Sequence, residues 1–205
     1  MRNDLLNEII NIKGFVTEQS AEVDEREVFI RPLYIELLSL YPSIQKELAD
    51  EISEQIAKYK PQVLYAIEAS ILPIASLVAN NLNIPLSIIR KPRNFKHEKE
   101  EPDLFIKDDL KNCPSVLLDD AIWSGYTINY VFQKLKKYGI QPPSCYFIFD
   151  FLDFNGGGRY LTEQDLFYLQ KRTYWITYKE VLEISYTNGI VSNEAYQKTM
   201  LLFNK

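Results

Sequence analysis

Two adjacent carboxylates, Asp119 and Asp120, follow an apolar run and precede a short polar turn. The turn contains Ser124, Gly125 and Thr127, and an amphipathic helix follows it. Backbone N–H groups at a helix N-terminus bind phosphate well, and hydroxyl side chains add further donors. Neighbouring carboxylates can bind sugar hydroxyls, directly or through Mg²⁺ that keeps some of its waters. The pattern therefore indicates a site for a phosphorylated sugar with a divalent metal ion.

A simpler interpretation of the acidic pair is a solvated turn in which an aspartate caps the following helix. An isolated pair of aspartates favours this interpretation. The Ser-Gly-Tyr-Thr turn and the helix that follow favour the phosphate site instead.

The composition limits the class of protein. A chain of 205 residues, 46% of them apolar, suits one domain with a sizeable core. The longest apolar run is well short of the ~18 residues that a membrane span needs, and the N-terminus lacks a signal-peptide core. The net charge of −5 argues against a general nucleic-acid surface. Cys113 and Cys145 have no metal-ligand spacing and no disulfide framework, so we expect a cytoplasmic protein.

Strands and helices alternate along the chain. Apolar runs predict strands at 63–67, 86–89, 115–118 and 145–149, and periodic patterns predict helices at 44–59, 71–82 and 128–137. An amphipathic segment and an extended run, 28–35, precede them. This alternation predicts parallel βαβ units in a doubly wound sheet, in which ligands bind beyond the carboxyl ends of the strands. The relevant loops are 68–73, 90–102, 119–127 and 150–159.

The loop after the second predicted strand is strongly basic. It contains the only histidine of the chain, His97, and five cationic side chains: Arg90, Lys91, Arg93, Lys96 and Lys99. On an acidic protein such a cluster predicts a local site for a polyanion, with arginine suited to bidentate phosphate contacts. The alternative is an ordinary solvated loop, partly neutralised by nearby glutamates.

Residues 117–127 resemble type I phosphoribosyltransferases, which carry a strand, two acidic residues and a Thr-Thr-Gly-x-Thr or Ser loop around the 5′-phosphate of phosphoribosyl diphosphate. Trp123 and Tyr126 depart from that loop. The resemblance implies an α/β fold, a parallel sheet flanked by helices, with a small hood from the N- and C-terminal segments. It implies a single domain over 1–205, with a core at about 60–150 and a hood from about 1–45 and 151–205.

Other segments resemble orotate phosphoribosyltransferases in particular. Residues 31–37 resemble that family's Ser-Pro-Ile-Tyr-Ile-Asp-Leu segment, and residues 89–97 resemble its Arg-Lys-x-x-Lys-x-His segment. Residues 68–75 lie where the family has its diphosphate loop, with Ile71 in place of a common glycine. The family also has an Asp-Arg pair after its fourth strand, and the arginine of this pair binds the carboxylate of orotate. Here Phe151 takes that position, and Arg159 is the arginine that follows.

The resemblance assigns a role to each candidate residue. The catalytic residues would be Asp119, Asp120, Lys96 and His97. The phosphate and phosphoribosyl diphosphate site would comprise Ala121, Trp123, Ser124, Gly125, Tyr126, Thr127, Arg90, Lys91, Arg93 and Ser70. The acceptor would meet Phe151, Arg159 and Arg31. Mg²⁺ would be held by Asp119 and Asp120 through water or ribose hydroxyls.

The expected reaction transfers the 5-phosphoribosyl group to a nucleobase-like acceptor with release of diphosphate. By resemblance, the protein would be a homodimer in which basic-loop residues reach the neighbouring subunit. The departures at Ile71, Trp123, Tyr126 and Phe151 leave a second hypothesis open: a non-catalytic sensor of phosphoribosyl diphosphate or nucleotides. A partner subunit in a larger system, such as a defence effector, is a third. The aromatic tail, including Tyr178, either lines a base pocket or completes the core.

Overall fold

The computed structural model describes residues 2–13, 15–23, 26–32, 35–91, 104, 106–154 and 156–203; side chains are described at 3–13, 15, 16 and from 35 onward within these ranges. The helices are α1 (Arg2–Asn11), α2 (Pro42–Ala57), α3 (Leu72–Leu82), α4 (Tyr126–Lys137), α5 (Glu163–Leu169), α6 (Tyr178–Thr187) and α7 (Asn193–Met200). The strands are β1 (Val16–Val23), β2 (Arg26–Pro32), β3 (Val63–Ile67), β4 (Leu86–Ile89), β5 (Ser115–Ile122), β6 (Ser144–Asp150) and β7 (Thr173–Thr177). Short 3₁₀ helices occupy Ile35–Leu40 and Asp108–Leu110.

Five parallel strands form the central sheet in the order β4-β3-β5-β6-β7. The chain moves outward from β3 to β4 on one side and from β5 to β6 and β7 on the other. The strand order therefore reverses between β3 and β5, where their carboxyl ends leave a crevice for a ligand. The predicted α/β fold, a parallel sheet flanked by helices, is confirmed.

Helices cover both faces of the sheet because alternate strand residues point to opposite sides. Leu64 and Val116 belong to a core shared with α1, α2, α3 and α6. Tyr65 and Leu117, one residue further along each strand, belong to a second core against α4. The strand residues Val63–Ile67 are buried throughout, as expected for a parallel strand covered on both faces.

The predicted boundaries need one correction that matters for the site. The strand expected at 115–118 continues to Ile122, so Asp119 and Asp120 lie inside β5, and Asp119 pairs with Phe147 of β6. Parallel-sheet hydrogen bonding carries the strand past the end of its apolar run. The other predicted strands and helices are present within about two residues of their expected bounds.

Several elements were absent from the prediction, although the extended run expected at 28–35 overlaps β2. Strand β7 completes the sheet beside β6, and α5, α6 and α7 form the C-terminal part of the chain. Strands β1 and β2 pair as an antiparallel hairpin, a two-stranded sheet separate from the central one, and α7 contacts β2. The division into a core and a hood stays a prediction. Across the described ranges, the helices are too short or too polar to cross a membrane.

Candidate functional site

A cleft of about 280 Å³ lies at the carboxyl end of β5, beside the point where the strand order reverses. Its walls come from the end of β5, the start of α4 and parts of the chain after β6. The lining residues are Lys91, Asp119, Asp120, Ala121, Ile122, Trp123, Ser124, Gly125, Tyr126, Thr127, Ile128, Phe151, Phe154 and Tyr178. The cleft thus brings together the acidic pair, the polar turn and one cation of the basic loop.

The turn before α4 depends on Gly125. This residue has a φ of 83°, in the left-handed region that favours glycine. A Cβ atom at Gly125 would lie 2.3 Å from Cγ of Leu161, which packs directly against the turn. Helix α4 has no side-chain cap at its N-terminus, and its first internal bond runs from the N–H of Asn129 to the carbonyl of Gly125 at 2.9 Å. The first N–H groups of α4 therefore suit an anion.

A second loop holds this turn from outside. The N–H of Gly158 donates to the carbonyl of Trp123 at 2.8 Å, and the N–H of Tyr160 donates to the carbonyl of Ser124 at 2.9 Å. A Cβ atom at Gly157 would lie 2.0 Å from the carbonyl oxygen of Leu152, so the chain passes itself closely here. The glycines at 156–158 therefore let the chain pack closely against the turn at 123–127, here called the phosphate turn after the ligand that the sequence predicts.

Asp120 connects the two strands at which the order reverses. Its Oδ2 accepts a hydrogen bond of 2.5 Å from Oγ of Ser70, in the loop after β3. Its Oδ1 accepts one of 2.9 Å from the N–H of Ala121. Each carboxylate oxygen has a second lone pair for another donor or a cation. Asp120 is half-buried and lines the cleft, so a ligand can reach it.

Asp119 has a different environment. It is only 2% exposed, and its Oδ1 accepts a 3.0 Å hydrogen bond from the N–H of Asp120. Burial, and then the charge of Asp120, raise the pKa of Asp119 well above 3.8, while the charge of Lys91 acts in the opposite direction. Burial, and then Asp119, also raise the pKa of the Cys145 thiol to about 12. The two adjacent carboxyl groups therefore have unequal chemistry.

Lys91 is the cation of the basic loop that lines the cleft among the described residues. Its N–H donates to Oε1 of Glu68 at 3.0 Å, and Glu68 lies in the loop after β3. Arg90 lies outside the lining, and its carbonyl accepts a hydrogen bond from Nζ of Lys134 at 3.2 Å. The other predicted residues of this loop, Arg93, Lys96 and His97, lie outside the described residues.

One wall of the cleft is aromatic. The rings of Phe151 and Tyr178 are 4.6 Å apart between centroids, and those of Phe154 and Tyr178 are 4.9 Å apart. Trp123 packs against Phe154 and Phe151 at 5.8 and 6.4 Å. Tyr126, the other unusual residue of the turn, is 60% exposed and contacts Tyr160 edge-on. Trp123 thus joins the aromatic wall, and Tyr126 extends into solvent beside the turn.

Some cleft residues were not predicted. Ile122, Ile128 and Phe154 line the cleft, and Tyr178 was considered only as one of many tail aromatics. Tyr178 is 1% exposed and also lines the cleft. It therefore fits both alternatives for the aromatic tail, completing the core and lining a pocket. No sequence signal short of the fold itself connects residues so far apart along the chain.

The two arginines predicted to meet the acceptor are not among the described residues that line the cleft. The guanidinium of Arg159 lies over the ring of Tyr160, 4.9 Å from its centroid, and outside the cleft lining. Arg31 belongs to β2, where side chains lie outside the described part of the chain. Asp150, before Phe151, is bound by Arg172, whose Nε donates to Oδ2 at 2.8 Å. The roles of Arg159 and Arg31 stay predictions.

The carboxylates suit Mg²⁺ unequally. Asp120 offers an accessible carboxylate with free lone pairs, the kind of ligand that Mg²⁺ accepts together with waters and substrate oxygens. Asp119 is buried, and its raised pKa disfavours the charged form that binds metal. The described residues contain no group of three or more His, Cys, Asp or Glu side chains able to hold a metal ion. The donor set fits a metal bound by one carboxylate and completed by substrate.

Known proteins resemble this chain in sequence and in fold. The family model described as phosphoribosyl transferase domain matches residues 40–151. The hypoxanthine/guanine phosphoribosyltransferase of Methanosarcina mazei is 28% identical over 126 residues, which are 57% of this chain and 66% of that protein. The chain therefore spans just under two thirds of that relative's length.

Two solved structures have the same fold. The UMP synthase of Leishmania donovani aligns with a TM-score of 0.78 at 18% identity, covering 98% of this chain and 42% of that one. The orotate phosphoribosyltransferase of Aeropyrum pernix aligns with a TM-score of 0.66 at 20% identity, covering 91% and 99%. Because the family model matches more than half of the 205 residues, the chain belongs to the phosphoribosyl transferase domain family.

Proposed function

We propose that the protein transfers the 5-phosphoribosyl group of phosphoribosyl diphosphate to a nucleobase-like acceptor and releases diphosphate. The observation that carries this proposal is the cleft, which joins the uncapped N-terminus of α4 to the Ser70–Asp120 pair and Lys91. A ligand with phosphate at one end, sugar hydroxyls in the middle and a second anionic group matches this order of chemistry. Family membership and the purine-transferring relative support the same reaction.

The proposed mechanism relies on positioning and electrostatics. The N-terminal N–H groups of α4, with Ser124 and Thr127, would hold the 5′-phosphate, a group that does not react but supplies binding energy. Asp120, and Asp119 behind it, would hold the ribose hydroxyls near the positive charge that develops on the sugar. Lys91 and the basic loop would stabilise the negative charge on the departing diphosphate. The C–O bond to diphosphate breaks as the base nitrogen bonds to the anomeric carbon, and the proton that this nitrogen carries passes to the departing diphosphate or to solvent.

Mg²⁺ is the proposed metal. When bound, it would neutralise diphosphate oxygens as a Lewis acid, held by Asp120 and by substrate. Asp120 also orients Ser70, whose Oγ donates to it across the crevice.

The aromatic wall favours an uncharged acceptor. Phe151, where the family's orotate enzymes have an arginine, packs on Tyr178 and offers no charge to a carboxylate. Planar rings of Trp123, Phe151 and Tyr178 suit the flat, apolar faces of a base. The similarity to the hypoxanthine/guanine phosphoribosyltransferase of Methanosarcina mazei agrees with such an acceptor. We therefore place neutral bases ahead of orotate as substrates.

The second candidate function is non-catalytic sensing of phosphoribosyl diphosphate or a nucleotide. The specific observation that favours it is the state of the acidic pair. Asp119 is buried with a raised pKa, and both oxygens of Asp120 already accept hydrogen bonds. A binding protein needs the phosphate turn but not two charged carboxylates.

We further propose a cytoplasmic homodimer. The two unpaired cysteines, Cys113 and Cys145, agree with a reducing compartment. The dimer follows from the resemblance of the basic loop to one that reaches the neighbouring subunit. Sedimentation at several protein concentrations would test it.

The deciding experiment combines calorimetry with an assay of diphosphate release. Phosphoribosyl diphosphate and Mg²⁺ are titrated into the protein, and adenine, hypoxanthine, guanine, uracil and orotate are then screened for turnover. Binding together with turnover of a neutral base supports the transferase. Binding without any turnover supports the sensor, and a folded protein that binds no phosphoribosyl diphosphate contradicts both.

A further inference from the structure

We propose that Lys134 and Glu68 are positioning residues that fix the distance between the two phosphate-binding ends of the cleft. They act on Ile89, Arg90 and Lys91, here called the loop root, where β4 passes into the basic loop. The inference rests on the proposed function, because it assigns the loop root to the diphosphate end of the substrate. Neither residue lines the cleft, so neither is a catalytic residue.

Lys134 is unusual because its charge is buried. It is 7% exposed in the third turn of α4, and its Nζ donates to the carbonyl of Arg90 at 3.2 Å and to the hydroxyl of Tyr130 at 2.6 Å. Its Nζ also lies 4.7 Å from the centroid of the Tyr130 ring. Burying an ammonium group is costly unless hydrogen bonds compensate. An apolar side chain could fill the same space without the cost of burying a charge. We therefore assign the ammonium group of Lys134 the role of holding the carbonyl of Arg90.

Glu68 binds the same segment from the loop after β3. Its N–H donates to the carbonyl of Ile89 at 3.1 Å, and its Oε1 accepts from the N–H of Lys91 at 3.0 Å. Each of the three loop-root residues is therefore bound through its backbone. Two bonds come from the loop after β3 and one comes from α4. Strand pairing ends at Ile89, so these side chains extend the order of β4 into the cleft.

The consequence follows from the position of Lys134 on α4. The N-terminus of this helix is the proposed 5′-phosphate site, and its third turn holds the loop root, which brings Lys91 into the cleft. One rigid helix therefore links both ends of the site. A ligand with anionic groups at both ends depends on that spacing, whereas a ligand with only a 5′-phosphate does not.

The test compares two ligands and four variants. Lys134→Met keeps the aliphatic bulk and removes the donor, and Lys137→Met is its control at an exposed position of the same helix. Glu68→Leu removes the acceptor, and Glu68→Gln retains one as the conservative control. Affinities for phosphoribosyl diphosphate with Mg²⁺ and for ribose 5-phosphate are measured by calorimetry. Hydrogen exchange of the Lys91 amide is followed in the ligand-free protein.

We expect Lys134→Met and Glu68→Leu to bind phosphoribosyl diphosphate about tenfold more weakly, as for the loss of one hydrogen bond to a charged group. Ribose 5-phosphate affinity stays unchanged, both controls resemble the wild type, and the Lys91 amide exchanges faster in the two test variants. An equal loss for both ligands would show a merely structural role and overturn the inference. If the wild type binds neither ligand, the proposed function fails, and hydrogen exchange of the Lys91 amide alone tests the positioning role. An exchange rate in Lys134→Met equal to that of the wild type would then overturn this role.

Discussion

The two sides of the cleft are built in opposite ways. The proposed phosphate side is one continuous segment, residues 119–128, which offers backbone groups and short polar side chains to a ligand. The proposed acceptor side consists of Phe151, Phe154 and Tyr178, large rings that line the cleft and also belong to the hydrophobic core or pack against it. The first side depends on local geometry, and the second depends on the packing of distant elements.

This difference explains how the two sides respond to change. Backbone N–H groups tolerate varied side chains around them, which is why Trp123 and Tyr126 can occupy positions usually held by small residues. A wall of packed rings changes its shape with every substitution. We expect substrate anchoring to be robust on the phosphate side and acceptor choice to be sensitive on the other.

The largest expected effect tests the phosphate side. Asp120→Asn keeps an oxygen for Ser70 but removes the charge beside the developing cation, so kcat/KM should fall by about 10²- to 10³-fold with the fold intact. Steady-state assays with phosphoribosyl diphosphate and the best base, together with circular dichroism, check this. Asp153→Asn, at an exposed position outside the cleft, is the control. Full activity in Asp120→Asn would contradict the assigned role.

The next effect tests whether backbone geometry governs the phosphate side. Gly125→Ala places a methyl group against Leu161 at a φ of 83°, whereas Gly139→Ala has a φ of 73° with no atom within 4 Å. We expect about 1 kcal/mol of lost stability for Gly139→Ala from the left-handed backbone alone. Gly125→Ala should lose about 3 kcal/mol, because overpacking adds to this cost, and should bind ribose 5-phosphate weakly.

Urea unfolding and calorimetry measure these two glycine variants. Equal stability losses in both would show that Leu161 yields easily, and normal phosphate affinity in Gly125→Ala would show that the turn is not the phosphate site.

A smaller effect tests the acceptor side. Phe151→Leu removes a ring that packs at a tilt against Tyr178 and should weaken base binding about three- to tenfold, while phosphoribosyl diphosphate affinity stays the same. Competition calorimetry with the preferred base measures it. Phe167→Leu, at a ring that is 64% exposed, is the matched control. A parallel loss of both affinities would erase the distinction between the two sides.

The smallest expected effect concerns Asp119, the buried carboxyl group of the phosphate side. Since the folded protein raises the pKa of Asp119 above 3.8, its carboxyl binds a proton more tightly in the folded state than in the unfolded chain. Its favourable contribution is complete below the unfolded pKa and is lost as the pH rises through the folded pKa. Asp119→Asn should therefore gain stability relative to the wild type as the pH rises above about 4. Urea unfolding from about pH 4 to pH 8 checks this, and a constant difference would contradict it.

The sequence predicted the central architecture because it consists of strong local signals. Apolar runs such as 63–67 became strands, and the turn at Ser124–Thr127 became the start of α4. It placed the end of β5 too early, because Asp119 and Asp120 are polar although they continue the strand. Strand β7 was missed, since Thr173–Thr177 lies among aromatic residues without clear alternation.

The site was predicted unevenly for the same physical reason. Its phosphate side is contiguous, so residue types and spacing identify it. Its acceptor side combines Phe151 and Phe154, which follow β6, with Tyr178, and these rings meet only after α6 has packed against the sheet. The contact of Ser70 with Asp120 likewise depends on two strands that are neighbours in space and distant in sequence.

The placement of Phe154 and Tyr178 in the main core has an evolutionary consequence. A substitution that adapts the wall to a new base also alters the packing that holds α6 and the C-terminal Phe203 to the sheet. Changes in acceptor preference therefore carry a stability cost, and we expect them to arise together with compensating changes elsewhere in that core. In this molecule, selection for a new substrate and selection for a stable protein act on the same atoms.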